Sequence, residues 1–130
     1  MSKPLAPPRL SVLDDTMAVC RLDADAGIPA WATTLGFYSV TRTAEELSVV
    51  CAAEHVPEGV AYERGWRAFE VGGPLDFSLA GVLSGVTAPL AEVGVPVFVI
   101  STHDADYVLV GDGTLDFAVA ALRGAGHEIV

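Results

Sequence analysis

The side chains with most chemistry to offer gather in one short polar stretch. Ser101, Thr102, His103, Asp104, Ala105 and Asp106 run together as STHDAD between the apolar runs VFVI and YVLV. Two hydroxyls beside an imidazole and two carboxylates can donate and accept hydrogen bonds, meet an amine or move a proton. His103 with Asp106 is a conceivable acid–base pair. No GxSxG, HExxH or phosphate loop occurs, however, and no Cys/His pairing supplies a nucleophile to work with such a base. A lone His between two Asp also lacks the ligand cluster of a metal site. The stretch therefore reads as part of a binding protein and not of an enzyme, with no cofactor and no metal.

A second stretch is set up by a helix. Leu79, Val82, Leu83, Val86, Leu90 and Val93 fall at helical spacing. Asp76 or Ser78 can cap its first turn, and Gly94 can close its last. Pro89 lies inside, where it removes a backbone donor and should bend the helix. A final helix is expected from Thr114, with Leu115, Val119 and Leu122 on one face and Arg123 and Gly124 at its end.

Both stretches need a sheet to hold them. STHDAD reads as the turn of a strand pair, and FYSVTRTAEELSVV, sixty positions earlier, aligns on VFVISTHDADYVLV without a gap. Val40 then falls on Ile100, Arg42 on Thr102, Glu46 on Asp106 and Val50 on Val110, so the chain holds two copies of one strand–turn–strand unit. Arg9 to Leu13 and Met17 to Leu22 read as a hairpin across Asp14, Asp15 and Thr16. DADAGIPAWATT offers at most one helical turn, and AEHVPEG separates the halves. Val60 to Val71 reads as strand, in one run or in two across Gly65, and His127 to Val130 as an edge strand. Trp31 and Trp66 are expected in a core or an interface. The second half thus runs strand, helix, strand, strand, helix, strand, the ferredoxin-like order. The first half keeps the strands without the helical signals.

Composition limits the partners. Of 130 residues 52% are hydrophobic and 18% charged, which is too apolar for disorder and predicts that a second copy covers part of the surface. The formal charge of −10, from 17 acidic and 7 basic side chains, argues against nucleic acid. No apolar run approaches the length of a membrane span, and the proline-rich MSKPLAPPRL has no export signature. Cys20 and Cys51 sit in apolar strand-like runs and are read as buried, reduced thiols of a cytoplasmic protein, with a disulfide between them the alternative.

GPLDFSLAGVLSGVTAPLAEVGVPVFVISTHDADYVLV resembles the ACT domain of the tandem-ACT group, which includes small bacterial proteins, aspartate kinase regulatory regions and the CASTOR-type cytosolic arginine sensors of animals. RLSVL, FYSVTRT and ERGWRAFEV resemble that group's first half, so the resemblance covers nearly the whole chain. It implies an α+β fold of two tandem ACT-like (βαββαβ) units, the first degenerate, with antiparallel sheets and helices on one face. The expected organisation is an arm at 1–8, a first unit at 9–64 and a second at 65–130. It further implies a free amino acid bound where the loop entering the first helix meets the turn after the second strand. In this chain those are Asp76, Phe77, Ser78, Leu79, Ala80 and Gly81, and Ser101, Thr102, His103, Asp104 and Asp106. The arginine sensors favour an aromatic residue where this chain has His103.

The chemistry of such a ligand suits these residues. A helix start offers free N–H groups and a positive dipole end to a carboxylate, and Gly81 leaves room at the backbone. Asp106 or Asp104 can meet an ammonium group while Ser101 and Thr102 offer hydroxyls. The expected function is a regulatory module that senses an amino acid and signals through a homodimer or an unidentified protein partner. The alternatives are a ligand-free interaction module, in which these residues only cap a helix and shape a turn, and a small enzyme using His103 and Asp106.

Overall fold

The computed structural model describes residues 9–72 and 81–130. In chain order the elements are β1 (Leu10–Val12), β2 (Met17–Leu22), β3 (Ser39–Arg42), β4 (Leu47–Ala52), β5 (Tyr62–Val71), α1 (Val82–Glu92), β6 (Val97–Ser101), β7 (Asp106–Gly111) and α2 (Leu115–Gly124). Among the described residues the fold is α+β, with antiparallel strand pairing and two α-helices. The chain forms two compact units, residues 14–67 and residues 68–130 together with the N-terminal segment up to Leu13.

In the unit of residues 14–67, β4 lies between β2 and β3, and β2 also pairs with the start of β5. Alternation along β2 and β4 sends Ala18, Cys20, Leu47, Val49 and Cys51 into one small core with Ala32. Trp31 packs against it from the single helical turn Ala30–Thr33. Leu47 and Val49 each contribute about 1.5–3 kcal/mol by leaving water. Cys20 lies opposite Val49 and Cys51 opposite Ala18, so the two sulfurs are diagonal neighbours on adjacent strands, and both are free thiols. Burial, with the neighbouring Cys51, pushes the Cys20 thiol up to about 11, and burial raises Cys51 as well.

In the other unit, β7 lies between β5 and β6, and both helices pack on β7. Phe69 and Val71 of β5, Val108 and Val110 of β7, and Leu10 of β1 point to one face, where Val86 and Leu90 of α1 and Ala118 and Leu122 of α2 meet them. Period two on the strands and period 3.6 on the helices thus converge on one core.

One expectation is corrected here. β1 does not form a hairpin with β2: Leu10 to Val12 pair with Val71 to Phe69. The apolar residues of β1 are needed on the helix-covered face, where Leu10 is fully buried. The tail does add to an edge, on the side of β1 away from β5. Ile129 bridges Leu10 in parallel, and Val130 donates to the Leu10 carbonyl at 2.8 Å. Of the two alternatives left open for Val60 to Val71, β5 takes the first, one ten-residue strand through Gly65. Met17 faces Trp66 while Val19 faces Glu63, so two residues of β5 oppose one of β2, a bulge that a glycine accommodates.

Candidate functional site

The polar turn joins β6 to β7, closed by the pair Ser101 and Asp106. The Thr102 N–H donates to the Ala105 carbonyl at 2.8 Å, and the Ala105 N–H donates to the Thr102 hydroxyl at 3.1 Å, so this threonine shapes the turn. His103 Nδ1 lies 2.7 Å from Asp104 Oδ1, with both side chains at least 90% exposed. Asp106 differs. It is 8% exposed and receives the Ser101 hydroxyl at 2.6 Å, the short separation of a hydroxyl donating to a carboxylate. Its position in β7 puts it on the same strand face as Val108 and Val110, the face that the helices cover. Two pairs form at the turn, His103 with Asp104 and Ser101 with Asp106, where the sequence offered His103 with Asp106 only as a conceivable acid–base pair. The reason is alternation: Asp106 begins the strand and turns inward, whereas His103 and Asp104 occupy the exposed tip.

The β3–β4 hairpin is the internal control for this turn. The Thr43 N–H donates to the Glu46 carbonyl at 2.8 Å, and the Glu46 N–H donates to the Thr43 hydroxyl at 3.1 Å. Thr43 and Thr102 therefore hold the same place in two identical turns, and they are 59 positions apart, not sixty. The gapless sequence alignment is off by one residue, which in a strand exchanges the two faces. In the structural register Arg42 takes the place of Ser101 and Leu47 that of Asp106. Leu47 is fully buried, as an inward residue at that position should be. The Arg42 guanidinium turns away to the carbonyls of Ala24 and Ala26, the latter at 2.7 Å. The buried carboxylate is consequently peculiar to the β6–β7 hairpin. The repeated threonine at the first turn position was the sequence signal for the true offset.

At the other expected loop, Asp76, Phe77, Ser78 and Leu79 lie outside the described residues. Gly81 is described and is the N-cap of α1, with φ 91°, a left-handed conformation that only glycine takes without strain. The first helical hydrogen bond runs from the Gly85 N–H to the Gly81 carbonyl at 2.8 Å, so α1 begins at Val82 and not near Ser78.

Pro89 within α1 has a partner that sequence reading missed. Its missing N–H would have served the Gly85 carbonyl, four residues back. His127 fills the gap: its Nε2 lies 2.9 Å from the Gly85 oxygen, and the ring is 5% exposed. A proline inside a helix with a histidine near the chain's end was the available clue. Elsewhere among the described residues, no cluster of three or more His, Cys, Asp or Glu is placed to hold a metal ion, and no helix is long and apolar enough to cross a membrane.

Comparison with known proteins agrees with this architecture. A family model described as the ACT domain matches residues 61–124, and a second, described as an N-terminal domain, matches residues 15–59. The chain is 37% identical to protein Atu0741 from Agrobacterium tumefaciens, over 97% of this chain and 94% of that one, with a TM-score of 0.92. Protein VC0802 from Vibrio cholerae, described as of unknown function and a possible transport protein, is 19% identical over 92% and 91%, with a TM-score of 0.76. The regulatory subunit of aspartate kinase from Thermus flavus is 10% identical over 93% and 99%, with a TM-score of 0.65. The last two similarities concern the fold alone.

Proposed function

The chain belongs to the ACT-domain family, and from that premise we propose that it is a regulatory module binding a free amino acid at the β6–β7 turn. One observation carries this reading: the inward carboxylate of Asp106, whose partner among the described residues is a single hydroxyl. A carboxylate accepts at about four lone-pair sites. A ligand ammonium would meet this carboxylate in a charge-assisted hydrogen bond. In this reading Ser101 orients the carboxylate, Thr102 holds the turn, and His103 and Asp104 form the exposed rim. Gly81 and the residues 76–79 before it receive the ligand carboxylate at the start of α1. The two free, buried thiols suit a reducing, cytoplasmic setting. The output passes through a homodimer or a separate partner.

The test uses a difference between the two hairpins. Because Leu47 occupies the equivalent buried place, Asp106→Leu should fold, with a thermal midpoint close to wild type. Asp106→Ala serves as the smaller variant. Calorimetry should show that both have lost amino acid binding. Unchanged affinity in a folded Asp106→Leu protein would remove Asp106 from the site.

A second reading, an interaction module without a small ligand, draws on another observation. Thr102, His103 and Ser101 each make a hydrogen bond within the turn itself. A wild-type chain that binds no amino acid, together with a stable protein partner, would favour it.

A further inference from the structure

The strand face that holds Ser101 and Asp106 continues along β6 as Val99 and then Val97, since alternate residues of a strand share a face. Their partners across the ladder, Val108 and Val110 of β7, are fully buried in the core beneath the helices. Val99 and Val97 instead keep 37% and 36% of their surface exposed. Position explains the contrast: β6 is the last strand on its side of the sheet, and both helices pack on β7.

The β3–β4 hairpin shows what the same places look like when the chain closes over them. In the structural register Val40 stands where Val99 does, and Leu47 where Asp106 does. Val40 packs on the cluster that holds Leu47, Val49 and Cys51. In the β6–β7 hairpin those two places hold an inward carboxylate and an uncovered valine, side by side on one face. An occupant that is cationic at one end and apolar at the other matches both.

We propose that the ligand's own side chain covers Val99, so that the amino acid bound is an apolar one with the reach of leucine. This rests on the Asp106 reading of the site and names its substrate class. Strand geometry sets the reach. Val99 lies two residues from Ser101, about 6.6 Å along the strand. An amino acid whose ammonium group is held by Asp106, opposite Ser101, reaches Val99 with a side chain of three or four carbons and fails to with a single methyl. Val97 lies about 13 Å away, beyond such a side chain. Charge agrees with this choice. An acidic side chain would face Asp104 and Asp106, whereas Arg9 in the same unit is turned to Glu128 and Arg123 stands in the last turn of α2. A basic side chain would find only Asp104, which is 90% exposed and held by His103, and an exposed ion pair of that kind adds little.

Calorimetry of the full chain with leucine, alanine, serine, arginine and aspartate tests the proposal. Leucine should bind at least ~10-fold more tightly than each of the others, from the added carbons it takes out of water. Val99→Thr keeps the shape and the strand preference of valine but adds a hydroxyl, and should weaken leucine more than alanine, closing that gap to a few-fold. Val97→Thr, the same change out of reach, should leave the gap as in wild type, which separates contact with the ligand from a general effect on β6. Thermal midpoints of both variants check that the hairpin is intact. Tightest binding of alanine, serine, arginine or aspartate would overturn this inference while leaving the amino acid site standing. So would a folded Val99→Thr protein that keeps the wild-type gap. No binding of any amino acid would overturn the Asp106 reading, and this inference with it.

Discussion

At the scale of single residues, two buried groups make predictions that the sequence does not suggest. His127 supplies the hydrogen bond that Pro89 denies to the Gly85 carbonyl. His127→Ala should therefore cost about 1–3 kcal/mol, the penalty for leaving a partly buried acceptor unmet. In a Pro89→Ala background the restored helical N–H takes over, so the same substitution should cost less. Urea unfolding of the four proteins measures this coupling, and equal costs in both backgrounds would deny it. Cys20 sets a different test. Its thiol is raised from 9.0 to about 11, so both folded and unfolded chains hold the proton below pH 9. Between pH 9 and 11 only the unfolded chain ionises, and stability should fall there by up to about 1.4 kcal/mol per pH unit. Cys20→Ala should flatten that slope. A thiol reagent at pH 8 should find neither cysteine in the native protein and both after unfolding.

At the scale of elements, the pair of hairpins explains what could be read in advance and what could not. Strands at Met17–Leu22 and Leu47–Ala52 and the helix at Leu115–Gly124 follow from local patterning, and these were legible. The partner of β1 was not, because antiparallel pairing with Phe69 to Val71 depends on which core has room for Leu10, a long-range matter. The hairpin offset was lost for a subtler reason. Apolar residues fill both strands of each pair so densely that sliding by one still matches them, and only the turn threonines fix the register. The candidate site was half legible. Residue identity named Asp106 and Ser101, but only the sheet shows that their side chains pair and that His103 turns to Asp104. The start of α1 moved to Val82 because Gly81 adopts the left-handed conformation, which apolar spacing does not record. Gly81→Ala should consequently destabilise the chain by about 1 kcal/mol or more, read as a lower thermal midpoint. An unchanged midpoint would mean that the cap tolerates a side chain.

At the scale of the whole molecule, duplication without symmetry decides the stoichiometry. Both hairpins share one turn, but only that of β6 and β7 carries an inward carboxylate, since Leu47 stands in the equivalent place. Two tandem units should then yield one such amine-binding site per chain. The most direct test of this account is calorimetric titration of the purified wild-type chain with each hit from a thermal-shift screen of the common amino acids. A ligand at a hundred times its dissociation constant should add roughly 2.7 kcal/mol, a readily seen rise in thermal midpoint. The account predicts selective, saturable binding of one amino acid per chain. A flat response across the full set would contradict it.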